Sequence, residues 1–300
     1  MSDDGALTFD GMPTRLWSCT PTKLDTWLSC PRRFRFAYLD RRPKGLPWAH
    51  NSVGSSVHNA LRDWWLLPVE RRTPGAATDL VTRNFLTDGF RDDAQIREWR
   101  ERAAAMTSSY VAHLDPDDEP AGVERTVSTT THGMALSGRV DRIDRRASDD
   151  GADELVIVDY KTGRRPLTDD DARSSLALAV YVVAASRTLR RRSRRVELHH
   201  LPTGTVAAHD HTPESIERHL TRAGDIAAEA STAETVWKDR LASRAEDAAA
   251  GDADAVEAID AHFPPSPGPS CSWCDYRRWC PSGRDASSEI APWSGLADSA

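Results

Sequence analysis

The chain has few cysteines, no long hydrophobic run, no excess of positive charge and no phosphate-cradling glycine loop. Each absence narrows what it can be. The longest apolar run, LALAVYVVAA (176–185), has ten residues, about half of the twenty that a membrane-spanning helix needs, so no membrane partner is expected. The opening MSDDGALTFD is acidic and lacks an apolar core, so no signal peptide is expected and the expected location is cytoplasmic. Five cysteines in 300 residues, in a compartment that keeps thiols reduced, argue against a disulfide framework. With 39 Lys and Arg against 46 Asp and Glu, the net charge is −7, which gives no global reason to expect nucleic acid. No G-x-x-x-x-G-K-[ST] occurs, so there is no recognisable ATP-driven motor, and unwinding of a duplex would fall to a separate helicase. No segment repeats.

What is present is uneven. The hydrophobic fraction is 39% and there are ten tryptophans, enough for a globular core. Two stretches are strongly basic, RRFRFAYLDRRPK (32–44) and RTLRRRSRR (187–195). Three of the cysteines stand together in CSWCDYRRWC as C-x2-C-x5-C: Cys271, Cys274 and Cys280. They are one thiol short of a tetrahedral site, and the stiff PPSPGP (264–269) precedes them.

The local pattern suggests helices first. Thr20-Pro21 reads as an N-cap and first helical position. A short helix then starts on Pro31, leaving Cys30 at the junction. GSSVHNALRDWW (54–65) reads as a helix opened by Ser55 or Ser56, and 79–114 as mostly helical. From 123 the character changes. VERTVSTTTHGMALSGRVDRIDRR reads as two strands, and ELVIVDYKTG (154–163) as a buried central strand. A buried helix is expected from Thr168 to about Leu189, a hairpin over 196–210 and an alanine-rich helix over 213–261. Residues 1–17 and 285–300 are expected to be disordered. His199, His200, His209 and His211 match no ligand spacing and are expected on a solvated strand face.

Alternation along a strand puts Asp159 and Lys161 on one face at the end of that central strand. Asp141, 18 residues earlier in GRVD, can lie beside them on the neighbouring strand. Two carboxylates and a lysine on one spot favour a hard cation, Mg²⁺ or Mn²⁺. Such an ion activates water and neutralises charge developing on a phosphate, while a lysine orients the water. The bland alternatives are a surface salt bridge for D-x-K, an ordinary turn carboxylate pairing with Arg139 or Arg142 for Asp141, and a satisfied helix histidine for His58.

Five stretches taken together resemble the RecB-like nucleases of the PD-(D/E)XK superfamily: SCPRRFRFAYLDR (29–41), GSSVHNAL (54–61), LSGRVDRID (136–144), ELVIVDYKTG (154–163) and CSWCDYRRWCP (271–281). The resemblance implies a single α/β domain over 18–284. Its parts would be a helical region (18–120), a mixed-sheet catalytic core (121–211), a further helical segment (212–262) and a cysteine segment (263–284). It implies a metal-dependent DNA nuclease, an exonuclease on single-stranded ends in DNA repair or recombination. His58, Asp141, Asp159 and the Tyr160 carbonyl would hold the metal, with Lys161 and Tyr181 beside it. The related Q-x-x-x-Y motif is incomplete, because Ala177 stands where glutamine is expected. In the iron–sulfur subset, which includes AddB-type subunits and CRISPR-associated exonucleases, one cysteine precedes the core and three follow it. Cys30, 241 positions before Cys271, would complete a [4Fe–4S] site, although the same four thiols suit Zn²⁺ by their chemistry. Cys19 is a rival ligand. Two alternatives stay open: a nuclease-like DNA-binding subunit beside a helicase, and a zinc-stapled protein with no nucleic-acid role.

Overall fold

A six-stranded mixed sheet organises the chain. The computed structural model describes residues 16–147, 151, 153–246 and 259–296. The strands are β1 (Trp17–Cys19), β2 (Gly122–Thr131), β3 (Met134–Ala147), β4 (Asp153–Lys161), β5 (Ser193–His200) and β6 (Thr205–Asp210). Antiparallel β2 runs along one edge of the long β3. The other edge of β3 is shared: parallel β1 pairs with Met134–Leu136, and antiparallel β4 pairs with Arg142–Ala147. Ser137 to Asp141 therefore have no strand partner on that edge. β5 continues the sheet parallel to β4, and β6 closes it as a hairpin.

The central position of β4 follows from its composition. Leu155, Val156, Ile157 and Val158 are each at most 2% exposed, and such a run suits a strand covered on both faces. Leu155 and Ile157 pack towards α7 (Leu176–Leu189), whereas Val156, Val158 and Tyr160 pack among α3 (Ala49–Trp65), α4 (Pro74–Arg83) and α5 (Asp93–Val111). Burying Leu155, Val156, Ile157 and Val158 stabilises by roughly 6–12 kcal/mol, an upper bound because a compact unfolded chain already buries part of that surface. A third cluster joins α1 (Pro21–Ser29), α2 (Pro31–Phe34) and α8 (Pro213–Glu246) to β1 and β3. Residues 35–39 extend α2 as a widened π turn. A last helix, α9 (Pro281–Ala286), follows the cysteine segment.

Several expectations change. Thr20 does cap α1, accepting from the Lys23 amide. However, α3 begins at Ala49, five residues before the expected start, because the Ala49 amide is bonded by the carbonyl of Pro292. Ser56 is buried within that helix. The helix expected over 168–189 breaks at Ser175, whose extended backbone and side chain cap α7 separately from α6 (Asp169–Ser174). Of the expected 213–261 helix, 247–258 lie outside the described residues. Residues 285–296 are not the free tail expected: Trp293 and Leu296 pack into the core around α3, since two apolar side chains suffice to hold a short segment on an apolar surface. Trp17 opens β1, again against expectation, while 1–15 and 297–300 lie outside the described residues. His199, His200 and His211 are buried rather than solvated. His199 bonds Tyr110 and Glu197, and His200 donates to the Gly163 carbonyl, which satisfies their polar atoms locally. No described helix is long and apolar enough to cross a membrane.

Candidate active site

The unpaired stretch of β3 ends at Asp141, where β3 and β4 part. The Asp141 carboxylate bridges the parting: its Oδ2 accepts from the Tyr160 amide at 2.8 Å. Neither arginine beside it is its partner, because Arg142 pairs with Asp144 and Arg139 with Glu124. From the other side of the sheet, α3 delivers His58, with Nε2 3.2 Å from the Tyr160 carbonyl oxygen and Nδ1 3.4 Å from Asp141 Oδ1. A carbonyl only accepts, so Nε2 carries the proton of that contact. The neutral ring then turns its Nδ1 lone pair to a carboxylate, an arrangement that a cation or a second proton makes attractive.

Glu124, on β2, joins this pair. Ligand atoms of His58, Glu124 and Asp141 all lie within 4.8 Å of one another, and they form the one such group among the described residues. Asp159 stands next to this group. Its Oδ2 is 2.5 Å from Lys161 Nζ, the juxtaposition that strand alternation predicts. Burial raises the Asp159 pKa, Lys161 opposes this, and Asp141 adds to it; the carboxyl stands above its usual range. Glu124 is raised by burial and then by Asp141. For His58, burial lowers the pKa, but the hydrogen bond to Asp141 and the charges of Asp141, Asp159 and Glu124 outweigh it, leaving the imidazole above its ordinary value. Two carboxyls whose environments resist ionisation, Asp159 and Glu124, beside the Asp141 carboxylate and one imidazole, form a site that a divalent cation relieves. Oxygen donors plus one imidazole suit Mg²⁺ or Mn²⁺.

Tyr181, on α7, completes the floor. Its ring lies against Gly138, where an added Cβ would come within 2.4 Å of Tyr181 Cε1. Burial, then Asp159 and Asp141, push its hydroxyl up to about 12, so at neutral pH it is a hydrogen-bond donor. Ala177, one turn earlier, offers no polar group. His58, Glu124, Asp141 and Tyr181 line a cleft of about 930 Å³ with Asn51, Ser55, Asn59, Arg139, Thr162 and Arg164. His58, Asp141, Tyr181 and the Asp159–Lys161 pair thus converge as the sequence suggests. Glu124 was missed: it stands in VERTV as an ordinary strand residue, and only the pairing of β2 with β3 carries it to the site.

The four cysteines also converge. Cys30, Cys271, Cys274 and Cys280 line one cavity of about 90 Å³, together with Arg32, Arg33 and Arg277. The amides of Arg33 and Ser266 donate to Cys30 Sγ, and that of Gly283 to Cys280 Sγ, each at 3.4 Å. Burial, the largest influence on it, holds the Cys274 thiol above its ordinary pKa. Cys19 is not among the lining residues. It is buried beside Trp27 and Leu24, and burial pushes its thiol up to about 11.

The basic stretch 187–195 does not border the site. It lies at the far end of β4, where Ser193 is level with Leu155; Arg191 faces Asp153, Arg194 faces Glu154, Arg195 faces Glu197 and Asp210, and Arg187 donates to Thr129 and the Thr130 carbonyl. In the other basic stretch Phe34 and Phe36 are buried, so core packing accounts for them.

A model of the PD-(D/E)XK nuclease superfamily matches residues 18–281. No curated protein matches the chain. Among solved structures, an exonuclease candidate from Eubacterium rectale is similar at 11% identity and a TM-score of 0.40, over 68% of this chain and 76% of that one. The protein SSO0001 is similar at 10% identity and a TM-score of 0.39, over 90% and 88% of the two chains. Both likenesses are distant, and neither bears on chemistry.

Proposed function

We propose, on the premise that this chain belongs to the PD-(D/E)XK nuclease superfamily, that it is a metal-dependent exonuclease acting on single-stranded DNA ends. The observation that carries the reading is the meeting of His58, Glu124 and Asp141 donor atoms in one cleft, with the Asp159–Lys161 pair next to them. His58, Asp141 and Asp159, with the Tyr160 carbonyl and Glu124, would hold Mg²⁺ or Mn²⁺, which supplies Lewis-acid stabilisation of a phosphate and a more acidic water. Lys161 orients the attacking water and offsets phosphate charge. Asp159 fixes the direction of the Lys161 ammonium. The Tyr181 hydroxyl, which keeps its proton, donates to a phosphate oxygen.

The four cysteines around this cavity would hold a [4Fe–4S] cluster, with Zn²⁺ as the alternative that the same thiols admit. The cluster would tie Cys30 to the C-terminal segment and leave the chemistry at Asp159 alone.

The test is anaerobic purification, then incubation with end-labelled single-stranded DNA and Mn²⁺ or Mg²⁺, beside Asp159→Ala and Lys161→Ala. The reading predicts metal-dependent degradation, lost in both variants with the cysteine site's absorbance unchanged. Degradation by the variants would overturn it. A second reading rests on Ala177: binding without turnover under any divalent metal would make the chain a DNA-binding subunit acting beside a separate helicase in repair or recombination.

A further inference from the structure

The cysteine segment contributes one residue to the lining of the cleft. Trp273, between Cys271 and Cys274, lines the same cleft as His58 and Asp141, and it is 41% exposed. Its ring is not loose. It meets His50 edge to face at 5.6 Å and Trp48 at 5.2 Å, and His50 stacks on Trp48 at 6.2 Å. Behind it, Gly295 has no room for a side chain: a Cβ there would lie 2.6 Å from His50 Nδ1 and 3.3 Å from Trp273 Cζ3. Trp48 donates to the Asp275 carboxylate, anchoring the group to the residue after Cys274. His50 Nδ1 is buried with no hydrogen-bond partner among the described residues, and burial holds this imidazole below its ordinary pKa, so the ring is neutral and apolar in character. A rigid, half-exposed indole backed by two rings, on a cleft that also carries carboxylates, hydroxyls and amides, is a surface for a flat apolar face.

The distance fits a nucleic-acid strand. His50, Asn51, Gly54, Ser55, His58 and Asn59 all line the cleft from one face of α3. His50 and His58 are eight residues apart, about 12 Å along the axis. At a stacked rise of 3.4 Å this spans about three or four nucleotides.

We infer that Trp273 is a base-stacking platform for the unpaired DNA strand, placing a nucleotide about three or four positions from the scissile phosphate, and that the cysteine site fixes this platform in the cleft. This rests on the nuclease reading and names how its substrate is held. The inference makes the metal or cluster at the cysteines a determinant of substrate affinity through one residue. It also favours unpaired DNA, because a paired base has both faces occupied by its neighbours.

The experiment is a thermodynamic cycle in the Asp159→Ala background, with Ca²⁺ present, so that binding is read without cleavage. Fluorescence anisotropy gives Kd for a single-stranded oligonucleotide and for a series carrying one abasic nucleotide at successive positions from the end. Trp273→Ala is expected to weaken the intact oligonucleotide at least about 5-fold, and Trp273→Phe to restore most of that loss. One abasic position is expected to weaken binding to the Asp159→Ala protein by a similar factor and to add nothing in the Trp273→Ala protein. The cysteine-site absorbance and melting temperature of each variant show whether the loop has stayed in place. Equal Kd values with and without Trp273, or full additivity at every abasic position, would overturn the stacking role while leaving the nuclease reading intact. No DNA binding, and no degradation by the unaltered chain, would overturn both.

Discussion

Gly138→Ala tests the packing that shapes the site. The added methyl would lie 2.4 Å from Tyr181 Cε1 and 3.2 Å from both Cζ and Oη. Carbon pairs rest at about 3.5–4.0 Å, so the ring must retreat by about 1.1–1.6 Å. It cannot take α7 with it, because Val180 and Val182 on either side are 1% and 2% exposed and packed. It must rotate towards the cleft instead. Overpacking of this kind costs about 1–3 kcal/mol. Tyr181→Ala costs less than the 3–5 kcal/mol of a fully buried aromatic, since its ring borders the open cleft. In the double variant the methyl has nothing to strike, so the two costs should fall short of their sum by about 1 kcal/mol or more. Urea unfolding of the four proteins measures this coupling. Cleavage of single-stranded DNA should fall in Gly138→Ala, since the displaced ring enters the space beside Asp141. Additivity within about 0.3 kcal/mol would show that ring and glycine do not touch as described, and the account of this floor would fail.

Three further outcomes are expected. Glu124→Gln should weaken Mn²⁺ binding about 10-fold or more by calorimetry while leaving the melting temperature of the metal-free protein nearly unchanged; unchanged affinity would remove Glu124 from the ligand set. Cys30→Ala should abolish the cysteine-site absorbance and lower the melting temperature, because the fold loses the closure of a 241-residue span; retained absorbance with unchanged stability would refute the staple. The raised His58 pKa belongs to the folded, metal-free protein. The stability it contributes is therefore complete below the ordinary value near 6.5 and is lost as pH rises through the folded value. His58→Gln should thus destabilise the metal-free protein more at pH 6 than at pH 8, and the reverse order would contradict the assignment.

Much of the site was legible because it rests on short-range rules. Asp159 and Lys161 share a face by strand alternation, and β4 reads as central from four consecutive apolar residues. What was not legible depends on partners remote in the chain. Glu124 reaches the site only through the β2–β3 register. The start of α3 is fixed by the Pro292 carbonyl, 243 residues from Ala49, where a local cap would ordinarily be sought. The parting of β3 arises because β1, three residues long, takes part of an edge that β4 does not fill, and so short a strand carries almost no pattern. The histidines of β5 misled for a related reason: their polar partners, Tyr110 and Gly163, lie on other elements.

The return of residues 292–296 to α3 also matters for synthesis. The carboxylates and lysine of the sheet are complete once Lys161 has been made, but the lining of the cleft waits for Trp273 and Gly295. At about 5–20 residues per second, the 137 residues from Asp159 to Leu296 occupy a ribosome for about 7–27 s. Throughout that interval the nascent chain holds the acidic half of a nuclease without the surface that would seat a strand against it. The order of the chain thus delays the assembled cleft until residues 273–296 have emerged.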